Sequence, residues 1–82
     1  MDVKVLGTGC AKCKKLYEQA EKAVTNSGQP ASLSKVEKLE DIMSYGVMMT
    51  PALVIDGEVK STGRIPDAGE IVSWITTAAA RH

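Results

Sequence analysis

Phenylalanine does not occur in this chain, tryptophan and histidine occur once each, and two tyrosines complete the aromatic content. A hydrophobic core must therefore come from Val, Ile, Leu, Met and Ala. Neither sign of charge is in excess, with 10 Lys+Arg against 10 Asp+Glu, so there is no basic field of the kind that draws a protein onto nucleic acid. No stretch approaches the roughly 18 apolar residues of a membrane-spanning helix. The start, Met1-Asp2-Val3-Lys4, lacks the apolar segment of a signal peptide. The expectation is a cytoplasmic protein with no nucleic-acid partner and no membrane partner. Cysteine is nearly absent too, since Cys10 and Cys13 are the only two. A disulfide across so short a loop restricts the unfolded chain very little. In a reducing compartment such a pair is expected to be catalytic or metal-binding, not a permanent staple.

What remains is ordinary globular material. The chain has 82 residues with 44% hydrophobic content, which predicts one small domain, 1–82, with a thin core. Residues 3–6 (Val-Lys-Val-Leu) read as a buried strand. Cys13, Leu16, Tyr17, Ala20, Ala23 and Val24 fall at helical spacings, with Lys14, Lys15, Glu18 and Lys22 on the wet side. Asn26-Ser27-Gly28 ends that helix and Pro30 prevents its continuation. Residues 31–36 form a weakly alternating second strand. Residues 38–45 predict a short helix with Leu39, Ile42 and Met43 on one face, closed by Gly46. Residues 52–55 (Ala-Leu-Val-Ile) are a compact strand, Asp56-Gly57 a strong hairpin turn, and residues 58–62 an edge strand. Asp67-Ala68-Gly69-Glu70 has the form of a capping box opening a last helix. Its buried stripe is expected to be Ile71, Val72, Ile75, Ala78 and Ala79. Trp74 beside that stripe is read as packing, and His82 receives no role.

The order is β-α-β-α-β-β-α. The first two strands, joined by a helical crossover, should be parallel, and the last two form a hairpin. Two helices must cover one sheet face and the middle helix the other, or one face would lie bare. The expected fold is α/β, with three layers around a four-stranded mixed sheet.

The cysteine pair Cys10-Ala11-Lys12-Cys13 follows the first strand and the Gly7-Thr8-Gly9 turn, and a helix begins directly after it. A sulfur at a helix N-terminus feels unsatisfied backbone N–H groups and the positive end of the dipole, both favouring thiolate. Thiolate is the form that attacks a disulfide or binds a soft metal. Lys12, between the two sulfurs, is the best-placed cation to lower a thiol pKa. Lys14 and Lys15 read as a solvated face. Far along the chain, Thr50-Pro51 stands directly before the third strand, and Gly63 lies between the hairpin and the last helix.

CxxC at the first strand–helix junction, Thr50-Pro51, and Asp56-Gly57 in this order resemble the thioredoxin/glutaredoxin family over nearly the whole chain. Within it, the chain is similar to the small "redox-active disulfide protein 2" group. The resemblance implies a thioredoxin-like βαβαββα sandwich and a thiol–disulfide oxidoreductase. It makes Cys10 the attacking nucleophile and Cys13 the resolving thiol. It makes Pro51 a cis-proline facing the pair, with Thr50 offering backbone groups to an extended peptide and Gly63 beside them. It implies no cofactor, no resident metal, protein disulfides as substrates, and a monomer. Its electrons would come from a reductase, and the incomplete glutathione signature points to thioredoxin reductase. Asp67 fits that signature only loosely and reads better as a helix cap.

The chain departs from the family in three places. Ala-Lys stands between the cysteines, no tryptophan precedes Cys10, and residues 2–6 offer no inward acid. Proton handling must therefore differ, through water or Lys12. Two other readings stand beside this one. A soft-metal (Cu/Zn) carrier would use the two thiolates as ligands, but that family has the order βαββαβ and no purpose for Thr50-Pro51. A non-enzymatic adaptor would use the thiols only to regulate binding. Met48 and Met49 flank the Pro51 loop, where they would be either flexible core fillers or an apolar docking surface.

Overall fold

The computed structural model describes residues 1–9 and 11–81; Cys10 and His82 lie outside the described residues. The elements are β1 (Asp2–Leu6), α1 (Ala11–Ser27), β2 (Ser32–Val36), α2 (Leu39–Ser44), β3 (Ala52–Ile55), β4 (Glu58–Thr62) and α3 (Ala68–Ala80). The four strands make one mixed sheet in the order β2-β1-β3-β4. β1 runs parallel to β2 and antiparallel to β3, and β4 returns antiparallel to β3. Asp56 and Gly57 both take positive φ, 49° and 80°, as the two-residue turn of a tight hairpin requires. A bulge between Leu53 and Val54 shifts the β3–β4 register.

Strand alternation sorts the core into two layers. Val3 and Val5 of β1 and Leu53 and Ile55 of β3 point to one face. There they meet Leu16, Ala20 and Ala23 of α1 and Ile71, Ile75 and Ala78 of α3. Leu6, Ala52 and Val54 point to the other face and meet Ile42 and Val47. Every residue of β3 is buried, which is why that strand is an unbroken apolar run. The result is the thioredoxin-like three-layer sandwich anticipated from the element order.

Two local expectations need correction. The stripe on α2 is not buried: Ile42 is at 3% exposure, but Leu39 and Met43 are each 64% exposed. With only six residues, this helix sets one side chain into the sheet, and Val47 and Tyr45 fill the rest of that layer. The Tyr45 hydroxyl accepts a hydrogen bond from Lys4 Nζ at 3.2 Å, docking the helix end to β1; that bond holds the Lys4 ammonium above its ordinary pKa. The capping box on α3 is half formed. Asp67 Oδ1 accepts from the Glu70 N–H at 2.8 Å, but the Glu70 carboxylate turns away to Arg64, 2.6 Å from Nη2. Gln19 of α1 supplies a second cap, its Oε1 accepting from the Ala68 N–H at 3.0 Å. Trp74 is half-buried against the core, with the Arg64 guanidinium over its ring at 5.9 Å.

Candidate functional site

The site gathers where β1 and β2 end and β3 begins. The two parallel strands release their chains at the same edge of the sheet, and the antiparallel β3 enters from that edge. The Gly7 N–H donates to the Val36 carbonyl at 3.0 Å, stitching the β1–α1 loop to the end of β2. Gly9 follows with φ +87°, and α1 opens at Ala11. Cys13 is thus the third residue of the helix, within the turn whose N–H groups lack intrahelical partners. No acidic side chain sits in that turn to oppose a thiolate.

Cys13 is only 6% exposed. Its side chain lies so close to Gly7 that a Cβ built there would collide with Sγ and stand 3.2 Å from the Cys13 Cβ. The same point is 4.0 Å from the Cβ of Thr50. One buried glycine therefore marks the meeting of the thiol and the loop before β3. In that loop the Thr50–Pro51 peptide bond is cis. Pro51 is fully buried while Thr50 is exposed. The Pro51 carbonyl accepts from the Gly63 N–H at 2.9 Å, which joins the β4–α3 connection to the same cluster. Met49 covers Gly63, its Cε 3.0 Å from where a Cβ would be. With φ +70° as well, position 63 has little tolerance for a side chain. Met48 and Met49 are not core fillers: they are 97% and 62% exposed, which leaves an apolar rim beside the proline loop.

Of the residues singled out from sequence, the fold brings Cys13, Thr50, Pro51 and Gly63 together. Cys10 lies outside the described residues. Lys12 is exposed on the first turn of α1. Asp67 caps α3 at the far side of the β4–α3 connection. Tyr17 is half-buried beneath the Lys35 ammonium, 4.7 Å from its ring centre.

The sequence reasoning missed the other side of the thiol. A cavity of about 270 Å³ opens against Cys13, walled by Val5, Gly7, Gly9, Lys14, Lys35 and Glu37. Among the described residues its cations are Lys14 and Lys35, and its only carboxylate is Glu37. A signal for this was present. Residues directly after β2 must emerge at the same edge as the loop after the parallel β1, so Glu37 and the cysteine loop were bound to be neighbours. From sequence Gly7 reads as a turn residue; in the fold it leaves room for a sulfur. The observed element order also differs from the βαββαβ arrangement that the metal-carrier alternative requires.

The family model described as "Thioredoxin domain" matches residues 1–76. A protein named "Thioredoxin" from Methanothermobacter thermautotrophicus is 37% identical over 71 residues, covering 87% of this chain and 92% of that protein. Another named "Thioredoxin", from Methanocaldococcus jannaschii, is 36% identical over 69 residues, covering 84% and 79% respectively.

Proposed function

This chain belongs to the thioredoxin-domain family, and from that premise we propose that it is a thiol–disulfide oxidoreductase working through Cys10 and Cys13. The observation that carries this reading is the meeting of Cys13, Gly7 and the cis Thr50–Pro51 loop at the start of α1. Cys10 attacks a sulfur of the substrate disulfide as thiolate, aided by the exposed cation of Lys12. Cys13 then attacks Cys10 and releases the substrate thiol. Thr50, exposed and just outside β3, turns its backbone groups to an extended substrate segment. Gly63 keeps the adjoining loop low, and the exposed Met48 and Met49 give the partner an apolar rest.

The substrates are protein disulfides. The electron donor is a flavin-dependent thioredoxin reductase in preference to glutathione, because Asp67, the loosely matching glutathione contact, is engaged in capping α3. Within the family we assign the chain, on its sequence resemblance, to the "redox-active disulfide protein 2" group, as a cytoplasmic monomer. The test is reduction of insulin disulfides with NADPH and thioredoxin reductase, run beside glutathione. Activity is expected with the reductase, loss with Cys10→Ser, and a trapped mixed disulfide with Cys13→Ser. A Cys10→Ser protein that retained full activity would overturn the assignment.

A further inference from the structure

The resolving thiol has to lose a proton before it can attack, and a buried thiol does so against a desolvation cost. The strand leading to it supplies no inward acid: its buried residues are Val3, Val5 and Leu6. Among the described residues the only buried polar side chain is Ser61, on β4 at the sheet edge opposite β2. The cavity against Cys13 is different. Glu37 lines it, and Glu37 Oε2 reaches to 3.8 Å from the point where a Gly9 Cβ would stand. The carboxylate thus leans over the loop between β1 and α1, and the missing side chain of Gly9 leaves it that space. Among the described residues Glu37 is in no ion pair. The space of about 270 Å³ has room for several water molecules, and Lys14, Lys35 and Glu37 on its wall give them partners.

We propose that Glu37 is the proton acceptor for Cys13, reached through water in this cavity. The inference rests on the oxidoreductase reading and adds to it a residue on β2's exit that the cysteine motif does not contain. In the step, the Cys13 S–H bond breaks and its proton passes through water to the Glu37 carboxylate. The freed electron pair of Cys13 forms the bond to Cys10 Sγ. The bond between Cys10 and the substrate sulfur breaks with its pair leaving on the substrate, which takes a proton from solvent. Other charged groups face the same space. Lys14 of α1 and Lys35 of β2 line it, and Tyr17 lies under Lys35. The two cations favour the thiolate that forms at Cys13 as its proton leaves.

The test uses the reduced full chain and the aromatic disulfide DTNB in single turnover. Attack by Cys10 releases one thionitrobenzoate, and attack by Cys13 releases the second, so the two steps are read separately. Glu37→Gln keeps size and hydrogen bonding but cannot accept the proton. It is expected to leave the first phase unchanged and slow the second about tenfold, below the range for a base in direct contact because water intervenes. Its second phase should climb more steeply with pH than that of the unaltered protein. Glu37→Asp, which keeps the carboxylate, should restore most of the rate. A Glu37→Gln protein whose second phase matches the unaltered protein in rate and pH profile overturns the proposal and leaves the oxidoreductase reading standing. An unaltered protein that releases no second thionitrobenzoate overturns both.

Discussion

A methyl group on Gly7 would fall inside the sulfur of Cys13, crowd the Cys13 Cβ and stand in ordinary contact with Thr50. The clash has no cheap relief: Cys13 is in the first turn of a helix and the Gly7 backbone is hydrogen-bonded to β2. Gly7→Ala is therefore expected to cost about 1–3 kcal/mol, the usual range for overpacking, in urea unfolding of the reduced protein. It should also slow the Cys13 step of disulfide exchange. A result within a few tenths of a kcal/mol would mean that the thiol is not seated against Gly7. Ser61 presents the reverse case. Its hydroxyl is buried on β4 and, among the described residues, has no hydrogen-bond partner. Burying such a group costs about 1–3 kcal/mol. Ser61→Ala is thus expected to be neutral or to raise stability by about 1 kcal/mol, and a marked loss would show that the hydroxyl bonds to ordered water. Neither feature could be read from the chain alone. Gly7 looks like any turn glycine, and the inward direction of Ser61 depends on the β3–β4 bulge.

The elements differ in how firmly sequence determines them. α1 and α3 carry apolar residues at helical spacing over three turns or more, so their buried faces were legible. Cys13, Leu16, Ala20 and Ala23 are indeed inside, as are Ile71, Ile75 and Ala78. α2 was legible as a helix, but its orientation was not. Leu39, Ile42 and Met43 share a face on any helix, and which of them meets the sheet is decided by the connecting loops. α2 is also the least secured element. It has six residues, an N-cap at Lys38 without a side-chain hydrogen bond, and one buried side chain. Short helices do not hold themselves together in water. Local opening is expected where few apolar contacts resist it. Amide hydrogen exchange should therefore release α2 at a lower free energy than α1, α3, β1 or β3. Equal protection in α2 and α1 would contradict the description of two unequal layers.

At the scale of the molecule, the site exists because four distant segments end at one edge of the sheet. Sequence motifs named the contributions of three of them: the cysteine loop and Thr50–Pro51, each a local string with its own chemistry, and Gly63 through the family resemblance. Glu37 has no such string, and only the parallel pairing of β1 with β2 brings it into the cluster. That assembly depends on the larger core layer. Leu16 is fully buried at its centre, one turn beyond Cys13. Replacing a buried Leu by Ala costs about 2–5 kcal/mol, while 82 residues at about 0.05–0.15 kcal/mol each supply roughly 4–12 kcal/mol in all. Leu16→Ala should therefore remove a large share of the stability. In a Cys10→Ser background it should also make Cys13 react faster with iodoacetamide, since the turn that hides the thiol loses its anchor. Ile42→Ala makes a cavity in the thinner layer on the opposite face of the sheet. It should cost less, because the exposed surroundings of α2 can collapse onto the gap, and it should leave Cys13 alkylation unchanged. Equal effects of the two substitutions on alkylation would mean that the thiol is shielded by global folding and not by the α1 layer.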